Sequence, residues 1–165
     1  MCAIKASGCA PTLSSADIEL ICVDPKRVHE IWPLAEPLLR RAIARTGLSA
    51  FRDIEREILC GNALLWLAVE GERSKVAILA AASTRLQRTD TGKVCVITAC
   101  AGKDMPRWLN LISRIEEFAR AEGCNCVRIY GRKGWLRALE GYEQRYVVLD
   151  KELSGCQIKN FTICS

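Results

Sequence analysis

Three apolar runs follow one another in the middle of the chain, at residues 63–69, 76–84 and 94–100, with amphipathic segments before and after them. A polar turn at 70–74, which contains Gly71, joins the first two runs as a hairpin. Both of these runs are apolar at nearly every position, so we expect strands that are covered on two faces. A hairpin run between helices favours a mixed sheet with helices on its faces over a doubly wound parallel sheet.

The segment before these strands predicts a short strand and a long helix. The strand covers residues 18–23 and ends at Asp24-Pro25, an N-cap acid followed by proline at the first helical position. Apolar residues at three- and four-residue spacing continue to Thr46, and Gly47 is a typical stop. Two prolines lie inside this pattern, so we expect a kink or two short helices: Pro33 and Pro37.

A second helix is predicted between Ser49, as N-cap, and Gly61. The strongest amphipathic pattern covers about residues 105–122 and predicts one helix that ends at Gly123. The remaining predicted elements are a strand at 126–130, a helical turn at 135–139 and a final strand at 146–149. The predicted order is β-α-α-β-β-β-α-β-α-β, which is an α+β, or mixed α/β, fold.

The length of 165 residues fits one domain, and a hydrophobic content of 50% excludes a disordered chain. We expect a single domain at 17–153, with peripheral tails at 1–16 and 154–165. The apolar run Val76 to Ala82 is too short to cross a bilayer, so no membrane association is predicted. No targeting pattern is recognised, and we expect a cytoplasmic protein.

The chain has ten cysteines and one histidine, His29. None of the cysteines forms a C-x-x-C pair, and Cys124 and Cys126 are separated by one residue. We therefore expect no metal site and no disulfide framework, and we interpret most of the cysteines as small buried apolar residues.

The local sequence between Ile18 and Leu153 resembles the GNAT (Gcn5-related N-acetyltransferase) superfamily. The resemblance is closest to small GNAT-like proteins encoded by phages and prophages. It is carried by the order of elements and by these segments: Ala121-Glu122-Gly123-Cys124, Val127-Arg128-Ile129-Tyr130, Gly131-Arg132-Lys133-Gly134-Trp135, Gly141-Tyr142 and Val147-Val148-Leu149-Asp150-Lys151. The resemblance implies a mixed, mostly antiparallel sheet with helices on both faces.

The resemblance also implies an acetyl-CoA site where two neighbouring parallel strands separate. The coenzyme pyrophosphate would lie at the start of the central helix, where amide donors are unpaired. The cofactor-binding residues expected there are Ala101, Gly102, Lys103 and Met105. This loop is degenerate, because the family pattern has a second small residue at an offset where this sequence has none, and because Asp104 adds a negative charge. We interpret Asp104 as a helix N-cap.

The catalytic residues are less well defined by the sequence. Many relatives place a tyrosine, as acid for the departing thiolate, at the position that Arg137 occupies here. Tyr142 and Tyr130 are the alternative candidates, and either is also compatible with a packing role. The strand at 94–100 contains no carboxylate base. Other possible bases are scattered along the chain: Glu70, Asp90 and His29.

A cluster of cations beside an aromatic residue predicts a second part of the coenzyme site. Arg132 and Trp135 are its expected cofactor-binding members, with Lys133 and Arg137 beside them. Trp135 could instead anchor its short helix to the core. A nucleic-acid role for this cluster is the weakest hypothesis.

Beside the nucleic-acid hypothesis, two functions remain open from the sequence, and the first is the one we favour. The first is acyl transfer from acetyl-CoA to a primary amine of a small molecule or protein. The second is a non-catalytic accessory role through contacts with other proteins, such as a phage structural protein, which would place the chain in the virion.

Overall fold

The computed structural model describes residues 18–71 and 76–152, and the predicted tails at 1–16 and 154–165 lie outside them. The predicted turn at 70–74 lies partly outside them as well. The described elements are β1 (Ile18–Cys22), α1 (Val28–Thr46), α2 (Phe51–Leu59), β2 (Leu64–Glu70), β3 (Ala77–Thr89), β4 (Gly92–Gly102), α3 (Met105–Trp108), α4 (Ile112–Ala121), β5 (Cys126–Ile129) and α5 (Trp135–Ala138), with 3-10 turns at Pro25–Arg27 and Leu109–Leu111.

The five strands form one sheet in the order β1-β2-β3-β4-β5. The first three pairings are antiparallel, and β4 pairs with β5 in parallel. A parallel pair requires a crossover, which α3 and α4 provide here. The predicted fold class, a mixed and mostly antiparallel sheet with helices on both faces, is confirmed.

Helices cover both faces of the sheet, as the apolar strands predict. On one face α1 and α2 bury Leu39 and Ile58 against Leu65 of β2. On the other face α4 packs Ile115 against Trp66 of the same strand. Because side chains alternate along a strand, Leu65 and Trp66 serve opposite cores. The sheet is therefore buried on both sides at its centre.

The first helix is not divided into two short helices, one of the two outcomes expected at its prolines. α1 runs from Val28 to Thr46 with Pro33 and Pro37 inside it. Each proline removes one backbone donor, but Trp32, Ala35 and Leu39 keep the apolar face of the helix buried across this region. Packing against the sheet maintains the helix despite the missing hydrogen bonds. Gly47 ends it in the left-handed conformation, with φ of 64°, as predicted.

Two further helix predictions need correction. Ser49 is not the N-cap of α2, since the helix begins at Phe51 after Ala50 and has no side-chain cap. The single helix predicted at 105–122 is divided into α3, a 3-10 turn and α4. Trp108 has a φ of −121°, outside the helical range. Its buried indole N–H donates to the Lys103 carbonyl at 2.9 Å, which holds this residue away from a continuous helix.

The predicted final strand at 146–149 is absent. Tyr146, Val147, Val148 and Leu149 form no strand and are between 62% and 89% exposed. The segment contacts the sheet through Tyr146, whose ring lies 5.3 Å from the Arg128 guanidinium carbon. An apolar run forms a strand only when it makes hydrogen bonds with a neighbouring strand, and this segment does not pair with the outer edge of β5, which has no strand partner in the described part of the chain. No described helix has the length and apolarity that a bilayer crossing requires.

A buried hydrogen bond joins β2 and β3 and gives a test of the fold. Trp66 Nε1 donates to Thr84 Oγ1 at 2.8 Å, and Thr84 is 1% exposed. T84V keeps the shape but leaves the indole N–H without an acceptor. We expect the free energy of unfolding, measured in urea, to fall by about 1–3 kcal/mol.

T91V, in the exposed turn between β3 and β4, is the control for this substitution. Its unfolding midpoint should stay close to that of the parent chain. An equal loss in both variants would contradict a specific role for the Trp66–Thr84 hydrogen bond.

Candidate active site

A β-bulge in β4 lies where the pairing of β4 with β5 ends. Thr84 pairs with Ile97 and Ser83 pairs with Ala99, so Thr98 is an additional residue without a partner on β3. The Thr98 hydroxyl lies 3.3 Å from the Ser83 carbonyl oxygen and 3.1 Å from Ser83 Oγ, which secures the bulge. A bulge bends its strand and increases the local twist. The parallel pairing with β5 ends here, at Ile97 and Ile129.

Beyond this point a cleft opens between the two strands. Its empty volume is about 800 Å³, including solvent at the mouth. The last contact between the strands is a hydrogen bond from the Tyr130 amide to the Ile97 carbonyl at 3.4 Å. Three regions line the cleft. The first is α1, with Ala42, Arg45 and Thr46, and the second is the end of β4 and the start of α3, with residues 97–102, Met105 and Trp108. The third is the end of β5 and the segment after it, with residues 129–132 and Trp135.

The residues that line the cleft come from both faces of the sheet. α1 belongs to the core on one face, whereas Trp108 and Trp135 pack with the cores on the other. The backbone groups of β4 that point away from β3 after Ile97 have no strand partner among the described residues. Unpaired strand-edge amides and carbonyls can bind an extended ligand that carries amide groups of its own.

The structure brings together most of the residues that the sequence singled out. Ala101, Gly102, Met105, Arg132, Trp135 and Tyr130 all line the cleft. Lys103 is exposed beside it and is not among the lining residues. Tyr142 does not line the cleft. Lys133 and Arg137 are exposed near α5 and do not line the cleft.

Gly102 has a packing role that the sequence does not reveal. A Cβ on this residue would lie 2.5 Å from the Ala80 Cβ, 2.7 Å from the Leu79 carbonyl oxygen and 2.8 Å from Trp108 Nε1. The missing side chain therefore makes room for the Trp108 indole. Asp104 follows with a φ of 53°, at the N-cap position of α3, but its side chain makes no capping hydrogen bond. It lies 3.8 Å from Arg107.

Trp135 combines the two roles that the sequence left open. Its ring packs on the apolar core beneath α5 and also lines the cleft. A Cβ on Gly131 would lie 2.6 Å from Trp135 Cδ1, so the indole covers the backbone of Gly131. The aromatic wall of the cleft thus depends on a glycine two residues after the end of β5.

Tyr142 is part of the core on the α4 side. Its hydroxyl donates to Glu116 Oε1 at 2.9 Å, and its ring packs with the residues around Trp66. Burial, together with the hydrogen bond and the negative charge of Glu116, raises the pKa of Tyr142. Tyr130 is 40% exposed and is the tyrosine that lines the cleft.

The charged residues that line the cleft are all positive. Arg45 and Arg132 are its charged lining residues, and within 18–71 and 76–152 no carboxylate or histidine lines it. Neither arginine forms an ion pair with a described carboxylate, whereas Arg107 near the loop pairs with Glu70 and Asp104. The candidate bases therefore fall outside the cleft: Glu70, Asp90 and His29.

The interpretation of the cysteines as mostly buried is wrong for the described residues. Cys95 is buried, but three are exposed: Cys22, Cys60 and Cys126. Burial raises the pKa of Cys95 to about 11 and that of Cys100, in the cleft wall, to about 12. Both are thiols at neutral pH and poor nucleophiles. In the described part of the chain no three histidine, cysteine or acidic side chains are grouped as metal ligands.

Sequence reasoning missed two contributors to the cleft. Thr98 is a threonine within an apolar strand, and only its pairing identifies the bulge. Arg45 lies in the last turn of α1, sixty residues before α3, where a basic residue is typical of a helix end. No local pattern connects it to β4 and β5. Only the tertiary structure shows that Thr98 and Arg45 belong to the cleft.

The structure is similar to solved acetyltransferases. A predicted acetyltransferase from Clostridium acetobutylicum, solved with acetyl-CoA, is 15% identical, with a TM-score of 0.57 over 82% of this chain and 96% of that chain. A GNAT family acetyltransferase from Staphylococcus aureus is 14% identical, with a TM-score of 0.54 over 82% and 98%. An aminoglycoside acetyltransferase from an uncultured soil metagenomic sample is 13% identical, with a TM-score of 0.59 over 84% and 99%.

No protein-family model and no curated protein matches the sequence. At these identities the structural similarity establishes the fold, and the chain has the fold of the GNAT acetyltransferases.

The packing at Gly102 can be tested with alanine. G102A places a methyl group against backbone and two side chains, and we expect the free energy of unfolding to fall by about 1–3 kcal/mol. G134A is the matched control, because its Cβ would contact nothing within 4 Å and its φ is −58°. It should leave the urea midpoint unchanged or raise it. Equal stabilities of the two variants would contradict the packing role.

The cysteine environments predict different rates of alkylation. At about pH 8, iodoacetamide should modify exposed Cys60 at least about tenfold faster than Cys95 or Cys100, because their raised pKa values leave little thiolate. Mass spectrometry of peptides measures each rate, and unfolding in urea should make the rates similar. Rapid alkylation of Cys100 in the folded protein would instead identify a reactive thiol in the cleft.

Proposed function

We propose that this protein is an N-acyltransferase that transfers an acetyl group from acetyl-CoA to a primary amine. The observation that carries the proposal is the cleft through the sheet, where β4 and β5 pair in parallel up to Ile97 and Ile129 and then separate at the Thr98 bulge. The solved structure from Clostridium acetobutylicum with acetyl-CoA supports it through the shared fold.

The coenzyme would enter from the face that carries α3 and α5. Its pantetheine arm has two amides, which can pair with the free edge of β4 between Thr98 and Gly102. Arg132 and Trp135 can bind the negatively charged phosphates and stack on adenine. Lys103 adds a positive charge beside the loop, but the packing of Gly102 and the nearby Asp104 make this loop a weaker phosphate site than the family pattern.

The reaction needs few groups from the protein. The amine nitrogen attacks the thioester carbonyl carbon, the carbon–sulfur bond breaks, and the coenzyme leaves as a thiolate that takes up a proton. Tyr130 is the tyrosine hydroxyl in the cleft and is the proposed acid. Tyr142 is less suited, because its proton is held by Glu116. Because no described carboxylate or histidine lines the cleft, the amine would lose its proton to solvent.

The missing base also favours a second candidate function. A cleft with no described acid–base pair is compatible with a cytoplasmic GNAT-fold protein of phage or prophage origin that binds the coenzyme or another protein without catalysis. Saturable acetyl-CoA binding without thiol release from a broad panel of amines, together with co-purification with a virion protein, would favour this role.

Titration calorimetry with acetyl-CoA tests the proposed site. The parent chain should bind acetyl-CoA with saturable heat. A101F places a large side chain in the wall of the cleft and should weaken binding about tenfold or more. A121F places the same side chain at the exposed end of α4, outside the cleft, and should bind as the parent does. Absence of heat and of thermal stabilisation in the folded parent chain would refute the proposed function.

A further inference from the structure

We infer that the acceptor amine belongs to a small molecule that also carries a negatively charged group, a carboxylate or a phosphate, and that Arg45 binds this group. The inference rests on the proposed acyl transfer and specifies its second substrate. It begins from the two sides that line the cleft. If the coenzyme occupies the side beside α3 and α5, the acceptor is left with the α1 side, here called the acceptor mouth, which Ala42, Arg45 and Thr46 line.

Arg45 is the charged side chain that α1 contributes to the cleft. Arg45 lies in the last turn of the helix, which ends at Thr46 with Gly47 as its C-cap. Its side chain is exposed, so its charge needs no internal partner. A guanidinium offers a planar set of donors that matches a carboxylate or a phosphate. The acceptor mouth therefore has a donor set for an anion at its rim.

The rest of the cleft reinforces this charge. Arg132 lines it from the segment after β5, and no described acidic side chain lines it. Arg107, just outside, shows a different arrangement, because Glu70 and Asp104 neutralise it. Arg45 and Arg132, by contrast, form no ion pair with a described carboxylate. An opening bordered by one sign of charge concentrates ligands of the opposite sign.

The same charges disfavour polycationic acceptors. A polyamine or an aminoglycoside would bring several ammonium groups next to Arg45 and Arg132, without a described carboxylate in the cleft to receive them. Like charges in a partly desolvated site are repulsive. The acceptor class thus differs from the aminoglycosides that name one of the structural neighbours.

Steady-state thiol release with matched acceptors tests the inference. Glycine is compared with glycinamide, O-phosphoethanolamine with ethanolamine, and spermidine represents the cationic class. We expect kcat/KM at least about tenfold higher for each anionic member than for its neutral counterpart. Glycinamide has the less basic amine and presents more free base at neutral pH, so a preference for glycine cannot arise from amine reactivity. The two anionic acceptors distinguish a carboxylate from a phosphate preference.

Variants on α1 locate the effect. R45Q should raise KM for the preferred anionic acceptor about tenfold or more, while KM for acetyl-CoA stays within about twofold, and R45K should recover part of the loss. R41Q is the control, since Arg41 lies one turn earlier on α1, is exposed and does not line the cleft. It should behave as the parent chain does.

The outcomes separate this inference from the proposed function. If acetyl-CoA does not bind, the proposed function fails. If acetyl-CoA binds but the neutral or cationic acceptors react as well as the anionic ones, or if R45Q matches R41Q, the inference about the acceptor is wrong while the acyltransferase proposal stands. Binding of acetyl-CoA without turnover of either anionic acceptor also overturns the inference.

Discussion

The end of hydrogen bonding between β4 and β5 determines the other properties of the cleft. One additional residue, Thr98, shifts the register of β4 against β3 directly after Ile97, the last residue of β4 that pairs with β5, and a bulge of this kind bends its strand. Ser83 holds this geometry with its backbone carbonyl and its hydroxyl. The cleft and its free strand edge begin at that point, because a continuous β4–β5 ladder would close the sheet.

Two tryptophans show how the packing around the cleft is maintained. Trp108 occupies space left by Gly102, and Trp135 covers Gly131. Each pair places a large aromatic ring against a backbone that carries no side chain. Their indoles form part of the cleft wall and are also packed into the cores of the sheet face that carries α4. The shape of the cleft and the stability of the fold are therefore coupled at these positions.

Sequence patterns predicted the fold more fully than the site. The spacing of apolar residues and the positions of turn residues located α1, α2 and the central hairpin, because these three elements depend on local sequence. They did not predict the interruption at Trp108, which depends on contacts with Lys103 and Ala80. They placed an exposed apolar run at 146–149 in a strand, because an apolar pattern alone does not show whether the run pairs with a neighbouring strand. At the site, residues near β4 and β5 were anticipated, whereas Arg45 required the tertiary structure.

The apolar segment from Tyr146 to Leu149 has a consequence for how the protein behaves in concentrated solution. Four large side chains lie in solvent next to a strand whose outer edge has no described neighbour. Such an arrangement favours edge-to-edge assembly between molecules. We therefore expect association through this segment to increase with protein concentration, and to increase with added salt, which screens the repulsion between chains that each carry a net charge of +5.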